Sequence, residues 1–149
     1  MEVKDIVDLK TVTTNLKATT KESALQELSE LLKDNNYISD IDGFMKDVYA
    51  REAEGQTGIG NFVAIPHGKS EFVSKNGVAI GITENEIPWE SLDDHGAKVV
   101  ILFAVGNDME AAKEHLKLLS LFARKLGKDK VVAKLLNSES AEDVVEAFA

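Results

Sequence analysis

The chain has 149 residues, 44% of them hydrophobic and 29% charged, with a net charge of −9 and no cysteine. That is the composition of one globular domain spanning 1–149, with no compositionally disordered segment, linker or repeat. It excludes disulfides, thiolate nucleophiles and thiolate metal sites, and the acidic balance argues against nucleic acid as a ligand.

The first residues, Met1-Glu2-Val3-Lys4-Asp5, lack the basic start and apolar middle of a secretion signal. The longest apolar run, Val99 to Val105, is 7 residues, against the roughly 20 a membrane-crossing helix needs. A cytoplasmic location is expected.

Thr19 and Glu22 have capping-box spacing, and Ala24, Leu25, Leu28, Leu31 and Leu32 repeat at helical intervals until Asn35-Asn36. A second helix is predicted from Ser39 or Asp40, burying Ile41, Phe44 and Val48 and ending before Gly55. Three glycines between Gly55 and Gly60 predict an irregular loop with exposed N–H donors. Strands are predicted at Val63–Ile65, Val78–Ile82 and Lys98–Val105, the last apolar on consecutive positions and therefore central and covered on both faces.

Gly106-Asn107-Asp108 supplies the turn and cap for a long helix from Met109 to Leu126. Ala112, His115, Leu118, Leu119, Phe122 and Leu126 form its apolar stripe, so His115 faces the sheet. Two short helices follow, Val131–Leu136 and a Ser140-capped segment through Phe148. The expected fold class is α/β: a mixed, mostly parallel sheet flanked by helices on both faces.

The chemistry concentrates at Pro66-His67-Gly68, where an apolar run stops at a proline and presents an imidazole. A neutral imidazole keeps one lone pair that can attack carbon or phosphorus near pH 7. Gly68-Lys69-Ser70 imitates the end of a phosphate loop and Gly58-Ile59-Gly60 the start of a dinucleotide fingerprint. Both require glycine where Val63 stands, so both nucleotide readings fail. No Gly-x-Ser-x-Gly elbow is present, and three histidines without paired helical spacing make no metal site.

What remains is His67 behind a glycine-rich loop, with His115 on the inner face of a helix and Arg51 just ahead of the loop. A phosphoryl group on an imidazole needs N–H donors and a cation within reach. Arg51 and His115 could meet its oxygens, with backbone groups at Gly58, Gly60, Asn61 and Gly68 as candidate phosphate ligands. The glycines could equally serve turn geometry alone, His115 could be packing, and Arg51 a solvated helix-end cation. His95, in a polar turn, is assigned no role, and Trp89 reads as a core edge.

Glu52, then Ile59-Gly60, then Val63-Ala64-Ile65-Pro66-His67-Gly68 fill every specified position of the histidine signature of a known family. The chain resembles enzyme IIA of the fructose/mannitol family of the bacterial phosphotransferase system, from about residue 5 to the C-terminus. The Arg51-Glu52 pair and the His115-Leu116-Lys117-Leu118-Leu119 helix also match that family's habit.

The resemblance implies a phosphorelay. A histidine-phosphorylated carrier protein gives its phosphoryl group to His67, at Nε2, and His67 passes it to a cysteine of a sugar-specific IIB domain, most consistently fructose-type. This chain has no cysteine, so the IIB and IIC parts would be other polypeptides or other parts of a longer one, with membrane IIC only an indirect partner. No cofactor is implied. The alternative is the family's nitrogen-related paralogue, a regulator whose phosphorylation state controls partner binding.

Overall fold

The computed structural model describes residues 2–149. A short helix α1 (Val3–Ile6) and a 3-10 turn (Leu9–Thr11) lead into β1 (Val12–Thr13). Helices α2 (Lys21–Asp34) and α3 (Ile41–Glu52) follow, then three short strands, β2 (Gly58–Gly60), β3 (Val63–Ala64) and β4 (His67–Lys69). Two long strands, β5 (Gly77–Ile87) and β6 (Ala97–Val105), precede α4 (Met109–Leu126), α5 (Asp129–Leu136) and α6 (Ala141–Ala147).

The sheet runs β1-β5-β6-β3-β2, with β4 also on β6. β1 lies parallel to β5, β3 and β4 lie parallel to β6, and the β5/β6 and β2/β3 pairs are antiparallel. The sheet is mixed and the layers are as expected. One face packs on α2 and α3 through Leu25, Leu28, Leu32, Phe44 and Val48; the other packs on α4 to α6 through Phe122, Leu126, Leu135 and Phe148. Val99 to Val105 are buried throughout, as a strand covered on both sides must be.

Several boundaries differ from the sequence expectation. The capping box of α2 is Thr20 with Ser23, one residue beyond the Thr19/Glu22 pair: the Thr20 hydroxyl accepts from the Ser23 N–H, and Ser23 Oγ accepts from the Thr20 N–H. A serine at the third helical position does the work expected of glutamate. Leu31 is only half-buried.

The Gly55–Gly60 segment is not wholly irregular, because Gly58–Gly60 forms β2. Gly58 fits there since a Cβ would meet the Glu90 carbonyl oxygen at 2.5 Å. A tight turn through Asn61 and Phe62, both at positive φ (55° and 66°), reverses the chain into β3. Strands β1 and β4 and helix α1 carried too few residues for any period to reveal them.

β3 and β4 occupy the same edge of β6, β3 opposite Val99–Val100 and β4 opposite Phe103–Val105. Pro66 bridges them and accepts a hydrogen bond from the Phe103 N–H at 3.0 Å. Having no N–H of its own, proline suits an edge position where a donor would go unused. His67 therefore follows the end of β3 across Pro66, as expected, and also opens β4.

Candidate functional site

His67 pairs with Phe103 on β6, and residues paired in a parallel ladder share a face. Its ring consequently lies on the α4 side of the sheet. Alternation sends Gly68 to the opposite face, where a Cβ would sit 2.6 Å from Val48 Cγ2 and 2.9 Å from Phe44 Cε1. The glycine after the histidine is thus a requirement of packing against α3.

His115 comes up from α4, with its ring centroid 5.1 Å from that of His67 and 5.4 Å from Phe103, edge-on to the latter. Phe103 in turn meets Phe122 edge to face at 5.2 Å. This aromatic stack fixes the height of His115 against the sheet.

Arg51, on the last turn of α3, reaches around the open edge of β4 from the other layer. Its Nε–H donates to His67 Nε2 at 3.1 Å, and Nη1 donates to the Gly55 carbonyl at 3.3 Å. The bond to Arg51 assigns the tautomer: Nε2 holds the lone pair and Nδ1 the proton. Nδ1 is buried without a full hydrogen bond, and the Ile65 backbone carbonyl nearby only modestly favours the charged ring.

Burial lowers the His67 pKa below the ordinary imidazole value, and the Arg51 guanidinium lowers it further. Burial, then the neighbouring His67, brings His115 down to about 4. Both rings are uncharged at neutral pH, the state a nitrogen nucleophile requires. His67, His115 and Arg51 open onto one cleft of about 480 Å³, also lined by Asp47, Glu54, Lys69, Ala112 and Leu116.

The other four predicted phosphate ligands are not brought there as free donors. The Gly58 N–H donates to the Glu90 carbonyl at 3.1 Å and the Asn61 N–H to Asp93 Oδ2 at 2.9 Å. Gly60, at φ +91°, lies against the Asp93 carboxylate. Asn61 borders a separate apolar hollow with Leu119 and Leu126. The Glu90–Asp93 stretch takes up the Gly58 and Asn61 donors and the β2–β3 turn uses Gly60 at positive φ, which the sequence did not disclose because β2 was too short to recognise. Gly68 is a ladder residue of β4 and serves packing.

Conversely, Asp47, Glu54 and Lys69 reach the cleft without having been singled out. Asp47 lies one helical turn before Arg51, and Lys69 two residues past His67 on the same strand face, so knowledge of β4 would have found Lys69. Among the described residues, no group of three or more His, Asp or Glu side chains could hold a metal ion, and no helix is long and apolar enough to cross a membrane. His95 is exposed and tilts against Phe62 at 4.8 Å.

Over residues 5–149 the chain matches the family described as "Phosphoenolpyruvate-dependent sugar phosphotransferase system, EIIA 2". It is 31% identical over 148 residues to the PTS system fructose-specific EIIA component of Haloferax volcanii, covering 99% of this chain and 95% of that one. Among solved structures it superimposes on the nitrogen regulatory protein IIA-Ntr of Neisseria meningitidis with TM-score 0.86 and 25% identity, over 99% of both chains. IIA mannitol of Escherichia coli gives TM-score 0.80 at 25% identity, over 96% of this chain and 99% of that one.

Proposed function

Because this chain belongs to the EIIA 2 family of the phosphoenolpyruvate-dependent sugar phosphotransferase system, we propose that it is a phosphoryl carrier with His67 as the acceptor. The observation that carries this reading is the His67 ring itself: uncharged, at the wall of an open cleft, its Nε2 lone pair accepting from Arg51 Nε–H at 3.1 Å, a bond that a phosphoryl oxygen would take over.

In the first transfer the Nε2 lone pair forms a bond to phosphorus as the phosphorus–nitrogen bond of the donor carrier breaks, and the electron pair returns to the donor's imidazole. Arg51 exchanges the Nε2 lone pair for a phosphoryl oxygen, and His115 meets the same group from the α4 side. In the second transfer a cysteine thiolate of a sugar-specific IIB domain attacks phosphorus, and the pair returns to His67 Nε2. The protein's contribution is alignment and charge compensation. Residues 1–149 act as one carrier domain, and the fructose type is favoured by the name of the Haloferax volcanii relative.

Incubation with the phosphorylated histidine carrier is expected to label His67 in an acid-labile, base-stable form, and His67→Gln is expected to abolish labelling. Equal labelling of the His67→Gln protein would overturn the assignment. The likeness to IIA-Ntr favours a second reading, a regulator acting through phosphorylation-dependent partner binding. Onward transfer of label to a fructose-type IIB cysteine separates the two, since transfer to no sugar IIB would favour the regulator.

A further inference from the structure

Arg51 can serve His67 only if its long side chain is held in one place, and no carboxylate grips it tightly: Glu54 Oε2 stands 4.0 Å from Nε. Its remaining anchor is the Gly55 carbonyl, 3.3 Å from Nη1. That carbonyl lies in the exposed stretch 53–56, a short loop with no apolar anchoring of its own. The question is what holds the loop.

The two residues that bracket it are joined to each other. The Thr57 hydroxyl donates toward the Glu52 carboxylate, at 2.9 and 2.8 Å from its two oxygens. The same hydroxyl accepts from the Trp89 indole N–H at 2.9 Å. Thr57 and Trp89 are buried, and the Glu52 side chain is only 8% exposed. Lys21 Nζ, 3.4 Å from Glu52, compensates its charge, pairs also with Glu90, and sits over the Trp89 ring. Each polar group in this cluster has a partner, so the cluster has one low-energy arrangement.

We propose that Glu52, Thr57 and Trp89 form a positioning latch that closes the 53–56 loop, so that the Gly55 carbonyl holds the Arg51 guanidinium on His67. Glu52 then has a physical task at the head of the histidine signature, and Trp89 is more than a core edge. The proposal rests on the reading of His67 as phosphoryl acceptor.

The test compares Thr57→Val, which removes the hydroxyl without changing charge, and Trp89→Phe, each in the wild-type and the Arg51→Gln backgrounds. Two quantities are read: the rate of phosphoryl uptake from the phosphorylated carrier, and the Arg51 Nε–H signal in ¹H–¹⁵N spectra of the unphosphorylated protein. Thr57→Val is expected to slow uptake on the order of 10-fold and to move the Arg51 signal toward that of a free guanidinium. Thr57→Ser restores most of the rate, and in the Arg51→Gln background neither substitution slows uptake further. Should Thr57→Val not fold, Trp89→Phe carries the same comparison with a smaller effect.

An unmoved Arg51 signal, or equal slowing with and without Arg51, would overturn the latch. Failure of the acceptor reading looks different: wild-type His67 would take no label, while the Arg51 signal would still respond to Thr57→Val.

Discussion

The site's chemistry at the residue scale is set by two imidazoles kept neutral for different reasons. His67 is depressed by burial and by a cation that occupies its lone pair; His115 is depressed by burial and by His67. A dianionic phosphoryl group on His67 would reverse the sign of the second influence and favour the charged form of His115. His115→Ala is therefore expected still to accept a phosphoryl group but to pass it on more slowly, on the order of 10²-fold as for other positioned charge-stabilising donors. Single-turnover transfer to a IIB domain measures this, and an unchanged rate would leave His115 as packing.

The same depressed values make stability depend on pH. Unfolding returns both rings to a pKa of about 6.5, so below that pH the unfolded chain binds protons that the folded chain refuses. Stability is expected to fall as pH drops from about 6.5 toward about 4, the folded value of His115. Urea midpoints at pH 7.5, 6 and 5 test this, with His115→Ala flattening the slope.

Element-scale behaviour turns on β4, three residues long, with His67 facing one layer and Gly68 the other. Gly68→Ala is expected to force α3 away from the strand, costing about 1–3 kcal/mol and slowing uptake because Arg51 rides on that helix. Thermal unfolding with the labelling assay checks both, and an unchanged melting point would contradict the contact distances.

That strand also marks the limit of what the sequence discloses. The long helix α4, the buried strand β6 and the caps Asp40, Asp108 and Ser140 were legible because each is announced by periodicity or by a side chain that bonds the helix start. His67, His115 and Arg51 were legible because proline, helical phase and the helix end each fixed one of them. Between turn geometry and phosphate donation the sequence leaves Gly58 and Gly60 open, and nothing in it discloses that the Gly58 and Asn61 donors are taken by the Glu90–Asp93 stretch. The Thr57–Trp89 contact spans 32 residues, and no local pattern encodes it.

Taken as a whole, the molecule brings its two layers together at one sheet edge, with Arg51 from one side and His115 from the other. The cleft opens beside the side chain of Leu116, 66% exposed, on a protein whose net charge is −9. A protein donor docking there would carry apolar groups ringed by cations. Its association rate is expected to fall on the order of 10-fold between about 0.05 and 0.5 M salt, measurable by stopped flow. A flat salt response would argue against electrostatic steering.

Asp47 and Glu54 on the cleft wall bear on what kind of container this is. With a phosphoryl group on His67, as proposed, these two carboxylates would stand near another anion and offset part of the hold that Arg51, Lys69 and His115 have on it. A storage protein would be ill served by such walls. A courier is well served, because a parcel held loosely leaves readily at the next door.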